Sequence, residues 1–151
     1  MNEMEINGKA VYFVAVKVFL RDKEKLLVIF DKWGVWELPG GRIKPDDFQK
    51  PLVETVSRKI REELGDGVRY SEPKPTGTFI QVSRTEETGE NVRIFAIGFE
   101  AEYLGGEIDL GDHHEELRWV DVGTFRPLEL QDNDWMRGVE DYLEQVRGGA
   151  K

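Results

Sequence analysis

Apolar residues crowd positions 11–20 (VYFVAVKVFL) and again 26–30 (LLVIF), with the charged tract 21–25 between them. Runs this rich in β-branched and aromatic residues predict two buried strands joined as a hairpin. Residues 33–38 predict a loop with a short extended piece, stopped by Pro39-Gly40-Gly41. The period then changes. Val53, Val56, Ile60 and Leu64 recur at intervals of three, four and four, which places them on one helical stripe. Pro51 fits a first turn, where amides lack internal partners; Asp46 or Asp47 can cap the start, and Gly65 suits the left-handed residue past the end. Residues 76–84 and 92–103 predict two more strands around a hairpin tip at 86–91. A polar, acidic loop at 105–116 leads to a short strand at 118–122. Trp135, Val139, Tyr142 and Val146 share one face of a C-terminal helix at 134–146.

This order, with no internal repeat or linker, predicts a single domain over residues 1–151. The fold class is α/β (α+β), a mixed sheet with helices packed on its faces. Three features of composition narrow the function. The chain has no cysteine, so disulfides and thiolate metal sites are excluded and a reducing cytoplasm is the expected location. No apolar run approaches the ~20 residues of a membrane span, and the N-terminus does not resemble a signal peptide. The formal net charge of -9 disfavours nucleic acid and anionic lipid as partners. It also repels a small anionic substrate, so an enzyme acting on phosphates needs cations or local Arg and Lys at its site.

The candidate chemistry lies in Leu38-Pro39-Gly40-Gly41 and in Arg58-Lys59-Ile60-Arg61-Glu62-Glu63-Leu64-Gly65. A glycine turn leads to a helix that ends in two adjacent glutamates. Neighbouring helical residues lie ~100° apart, so Glu62 and Glu63 reach a common point only near the helix side between them. Lys59 is one turn back on the same face. Carboxylates gathered there suit Mg²⁺ or Mn²⁺, which keep several waters and complete their shell with phosphate oxygens.

The segment from Trp36 to Gly65 resembles the signature of Nudix hydrolases, G-x5-E-x7-R-E-U-x-E-E-x-G-U with U a bulky aliphatic residue. Gly41, Arg58, Ile60, Glu62, Glu63 and Gly65 match it, and Trp36-x-Leu38-Pro39-Gly40-Gly41 matches the usual approach. The resemblance implies an α/β/α sandwich and hydrolysis of a nucleoside diphosphate linked to another group. It implies Mg²⁺ or Mn²⁺ held by Glu62 and Glu63, with the Gly41 carbonyl as a further ligand. Arg58, Gly40 and Gly65 would be structural. Glu116, in Asp112-His113-His114-Glu115-Glu116, would be base or metal ligand, with Glu115 as runner-up and His114 orienting water or structure. Arg42, Trp36 and Lys59 are the expected substrate contacts, and Trp33, Phe79 and Phe95 further candidates for stacking on a base. A homodimer is common in the family.

The chain also departs from the signature. Gly41 and Arg58 are 17 positions apart where the family spacing is 14, so three residues are inserted, expected within 42–49. Counted back from Arg58, Lys50 takes the place of the loop glutamate that normally pairs with the arginine. Asp47 or Glu54 is the expected substitute. Lys59 replaces the glutamate after the arginine, usually a metal ligand. It either pairs outward with Glu62 or Glu63, or lends its charge to the diphosphate. Asp66 replaces the last aliphatic residue. These losses raise an alternative function: a degenerate Nudix-fold module that binds a nucleotide or a partner without catalysis.

Overall fold

The computed structural model describes residues 5–148. A short hairpin, β1 (Glu5–Ile6) and β2 (Lys9–Ala10), precedes β3 (Phe13–Asp22), β4 (Lys25–Asp31), β5 (Trp36–Glu37) and β6 (Gly40–Arg42). A single 3₁₀ turn, Pro45–Asp47, leads to α1 (Leu52–Leu64). There follow β7 (Arg69–Tyr70), β8 (Lys74–Thr85), β9 (Asn91–Gly105), β10 (His114–Asp121), α2 (Pro127–Leu130) and α3 (Asp134–Gly148). The predicted strands and both long helices are present. The hairpin β1–β2, β7 and α2 are elements that the hydrophobic pattern does not reveal. The acidic loop is shorter than expected, because pairing with β4 begins at His114.

Among the described residues, one sheet has eight strands, in the order β10-β4-β3-β9-β7. The short β5 and β6 lie beside β4 and β3, and β8 lies beside β9. β3 and β9 run parallel; the other pairs are antiparallel. Both faces of the sheet are covered, which explains the unbroken apolar run of β3. Ala15 and Phe19 point to the α3 side, packing with Trp135, Val139 and Tyr142. Val16, Val18 and Leu20 point to the other side, against Val56, Ile60 and Leu64 of α1. The α/β/α sandwich is therefore as expected.

The feature that positions the site is a split in the middle of the sheet. β3 and β4 pair only at Arg21↔Leu26 and Asp22↔Lys25, next to their turn. Beyond that point the strands diverge, and residues 36–42 fill the wedge. β5 pairs with Ile29 and Phe30 of β4, while β6 pairs with Ala15, Val16 and Lys17 of β3. The Pro39 carbonyl accepts the Val18 N–H at 2.8 Å, which fastens the glycine turn to the central strand.

The start of α1 differs from expectation. Pro51 is its N-cap, and no side chain caps it. Asp46 and Asp47 belong to the preceding 3₁₀ turn, where Asp47 accepts the Lys44 N–H at 2.7 Å. Gly65 ends α1 with φ 91°, as its position in the motif suggested.

Candidate active site

Glu62 and Glu63 end α1 beside the glycine turn. Glu63 is clamped there: its Oε1 accepts the Gly40 N–H at 2.9 Å. Glu62 is more open, with 45% of its side chain exposed. The loop before β10 closes on the same helix end, since Gly111 N–H donates to the Glu63 carbonyl at 3.1 Å and Asp109 N–H to the Leu64 carbonyl at 2.9 Å.

Lys59 does not swing into solvent. Only 17% of its side chain is exposed, and its Nζ lies 3.2 Å from Glu62 Oε1 and 3.9 Å from Glu63 Oε2. The pairing expected of it is present, but inside the site. Its chain runs against Gly41, where a Cβ would come 2.5 Å from Lys59 Cε and 2.8 Å from Nζ.

Arg58 is braced by Asp47 through two hydrogen bonds, of 2.6 and 3.2 Å. That settles which residue substitutes for the loop glutamate; Glu54 stays exposed on the helix. It also corrects the expected place of the insertion. Counted forward from Gly41, Asp47 stands six residues on, at the family's own glutamate spacing. The three extra residues therefore fall after Asp47, between the 3₁₀ turn and α1. The Arg58 guanidinium holds the Asp47 carboxyl down at about 2.

Two residues that sequence reasoning passed over complete the centre. Lys17 springs from β3 into the wedge and is 3% exposed. Its Nζ donates to Glu37 Oε1 at 2.8 Å and to the Leu38 carbonyl at 3.0 Å, and lies 4.4 Å above the Trp135 ring. His114 Nε2 meets the other Glu37 oxygen at 2.8 Å. The signals were there: a lysine inside an apolar strand, and a glutamate just before Leu38-Pro39-Gly40-Gly41. Burial pushes the Glu37 carboxyl up, but Lys17 and His114 outweigh it and bring it to about 2. Glu37 is thus a carboxylate, and His114 Nε2–H must be the donor. Burial raises Glu63, only partly offset by Lys17, the Gly40 N–H and Lys59.

The low Glu37 value predicts an acid limb. Its folded pKa lies below the ordinary 4.5, so the stability it contributes is present above about pH 4.5 and is lost as pH falls toward 2. Urea unfolding at stepped pH should show the wild-type midpoint falling more steeply across that window than the midpoint of Glu37→Gln. Asp47 titrates alike in both proteins, so equal slopes would remove Glu37 as the cause.

The other expected residues are more scattered. Glu116 is not brought to the helix glutamates. A bulge between His114 and Glu116 shifts the register. It leaves Glu116 opposite Phe30, which packs on the α3 side, while α1 covers the other face. Glu116 is half-exposed and bonds Arg118 at 3.0 Å. Trp36 is 6% exposed, a core residue covered by Phe30 and by the Arg118 guanidinium 4.6 Å from its ring, so it offers no free stacking face. Arg42 is engaged by Glu86 of the β8–β9 turn through bonds of 2.5 and 3.1 Å. Trp33 and Phe79 are exposed aromatic rings, at 63% and 54%; Phe95 lies half-buried beside Phe79. His113 lies tilted against Trp33, with 5.4 Å between ring centroids, while His114 turns to Glu37.

The donor chemistry near Gly41 suits a hard cation: two carboxylates and a backbone carbonyl. Among the described residues, no group of three or more His, Cys, Asp or Glu side chains is placed to hold a metal. The set thus offers ligands to an ion that shares its shell with water and substrate.

Comparison with known proteins agrees with this geometry. The family model of the NUDIX domain matches residues 11–142. Nucleoside triphosphatase NudI of Enterobacter sp. (strain 638) is 22% identical over 102 residues, covering 66% of this chain and 70% of that protein. A MutT protein from Methanosarcina mazei Go1 superposes with TM-score 0.64 at 26% identity, covering 93% of this chain and 96% of its own. An ADP-ribose pyrophosphatase from Streptococcus suis 89-1591 shares the fold with TM-score 0.60 at 19% identity, over 91% and 93% of the two chains. With the glycine turn, the braced arginine and the paired glutamates all in place, the chain belongs to the Nudix family, as an enzyme of the Nudix pyrophosphohydrolase type.

Proposed function

We propose that this enzyme hydrolyses a diphosphate bond in a nucleoside diphosphate linked to another group, with the aid of Mg²⁺ or Mn²⁺. The observation that carries the reading is the clamp on Glu63. The Gly40 N–H fixes one carboxylate oxygen beside the glycine turn, at 2.9 Å. A carboxylate fixed in this way suits a general base that takes a proton from the attacking water. Glu63, rather than Glu116, is assigned that role. Glu62, Glu63 and the Gly41 carbonyl would hold the cation, which supplies charge neutralisation at the phosphate oxygens when bound. Lys17 and Lys59 keep the buried site from accumulating negative charge that would repel the substrate. Arg58 and Asp47 hold the loop to the helix. Trp33 and Phe79, the exposed rings, are the candidates for contact with a base.

The alternative of a binding module without catalysis loses one of its supports. Asp47 performs the bracing that Lys50 cannot, so the loop is intact. The test is product release from a panel of nucleoside diphosphate compounds, including ADP-ribose, nucleotide sugars and dinucleoside polyphosphates, with Mg²⁺, with Mn²⁺ and with chelator. Cation-dependent cleavage of at least one class is expected. Cation-dependent binding of these compounds, with no cleavage of any, would reverse the reading.

A further inference from the structure

Five charged side chains meet at the wedge and the end of α1. Glu37, Glu62 and Glu63 are acidic; Lys17 and Lys59 are basic. The two ammonium groups differ in kind. Lys17 is fully engaged, by Glu37, by the Leu38 carbonyl and by the Trp135 face. Lys59 is held more loosely, by Glu62 at 3.2 Å and Glu63 at 3.9 Å, and keeps 17% of its surface. It has hydrogen-bonding capacity left for an incoming anion, because an ammonium carries three donors.

Lys59 also stands where the family signature has a carboxylate that binds metal. Its position is not that of a surface lysine filling a vacancy by chance. The absence of a Cβ at Gly41 leaves room for the Lys59 chain, and any larger residue there would meet Cε and Nζ. The ammonium is thus seated among the oxygens of Glu62 and Glu63, the same atoms that would bind a divalent ion. Like charges compete for those atoms.

We propose that the Lys59 ammonium is the resident cation of this site: it takes the place of one divalent ion, contacts the diphosphate directly, and leaves room for a single metal. This deepens the hydrolase reading and rests on it for the nature of the anion. Removing the ammonium should have opposite effects on two ligands. A cation should bind more tightly, because its competitor is gone. A diphosphate should bind less tightly without metal, because a charge-assisted contact is gone.

The experiment measures binding, with no turnover involved. Free Mn²⁺ is followed by electron paramagnetic resonance in a titration of the full chain. Methylenediphosphonate, a diphosphate that cannot be hydrolysed, is titrated by calorimetry in chelator. Wild type should bind one Mn²⁺ and should bind the diphosphonate without metal. Lys59→Met should bind Mn²⁺ about tenfold more tightly and the diphosphonate about tenfold more weakly. Lys59→Glu should bind a second Mn²⁺. If Lys59→Glu does not fold, judged by its thermal melt, Lys59→Met decides alone. Two Mn²⁺ in wild type would overturn the proposal, and so would unchanged affinities in Lys59→Met. A lysine that merely braces Glu62 would move neither affinity in these opposed directions. The two readings fail separately. Shifted affinities without cleavage of any panel compound would sink the hydrolase reading and keep the resident cation. Cleavage with unshifted affinities would do the reverse.

Discussion

Glu63→Gln is expected to lower turnover of the cleaved compound by about 10²–10⁴-fold, while the protein stays folded. The amide keeps the shape of the carboxylate and can still accept the Gly40 N–H that now bonds Oε1 at 2.9 Å. What it loses is the charge and the ability to take a proton. Burial already disfavours the ionised form of Glu63, so neutralising it should not cost stability. Lys59 retains Glu62 as partner and Lys17 retains Glu37. The loss should therefore appear in kcat and in kcat/KM alike, with a melting temperature close to wild type. Glu116→Gln is the informative companion. Glu116 is half-exposed, pairs with Arg118 and lies on the sheet face away from α1, so its variant should retain activity within a few-fold of wild type. The opposite pattern, with Glu116→Gln inactive and Glu63→Gln active, would return the base to the loop before β10.

The placement of Glu116 shows where sequence reading stops. An acidic residue ahead of an aromatic strand is a visible pattern, but the side of the sheet it faces depends on register. One bulge between His114 and Glu116 turns His114 to Glu37 and Glu116 to Arg118. The long elements were legible because each carries its own period: the apolar stripe of α1, the apolar run of β3 and the amphipathic face of α3. Elements of two residues, such as β1 and β7, have no period and exist only because a neighbouring strand offers them a pairing edge. The glutamate pair and the glycine turn were legible through their spacing. Lys17 and Glu37 each left a local signal, but their contact did not, since they meet across 20 residues and His114 joins them across 77. Strand divergence makes that contact, and nothing local in the chain announces it. The substitute for the loop glutamate was narrowed to two residues by sequence and decided by the 3₁₀ turn, which aims Asp47 at Arg58.

Gly40→Ala should be among the most damaging small substitutions in the chain, and its neighbour Gly41→Ala one of the milder ones. Two glycines side by side look equivalent in the motif; their surroundings are not. Gly40 has φ 141°, a backbone conformation that costs an alanine about 1–3 kcal/mol. A Cβ there would also lie 2.0 Å from the Val16 carbonyl oxygen and 2.9 Å from the Lys17 Cα. Both atoms are backbone of the central strand, held by its pairing with β9, so neither gives way cheaply. Overpacking of this kind adds about 1–3 kcal/mol or more. The total, about 4 kcal/mol, is a large part of the 5–15 kcal/mol that ordinarily separates a folded domain from its unfolded chain. Relief would require the turn to lift off β3, taking with it the N–H that clamps Glu63. At Gly41 the obstacle is the far end of Lys59, a flexible side chain that can rotate away. Gly41→Ala should keep nearly wild-type stability and disturb the site through Lys59 alone. Urea unfolding of both variants beside Gly34→Ala separates the contributions. Gly34 has φ 91° with nothing within 4 Å of its Cβ position, so it reports backbone strain without collision. Gly40→Ala should lose clearly more than Gly34→Ala. Equal losses in the two would mean that the turn does not press against β3 as closely as the geometry requires, and the clamp on Glu63 would lose its physical basis.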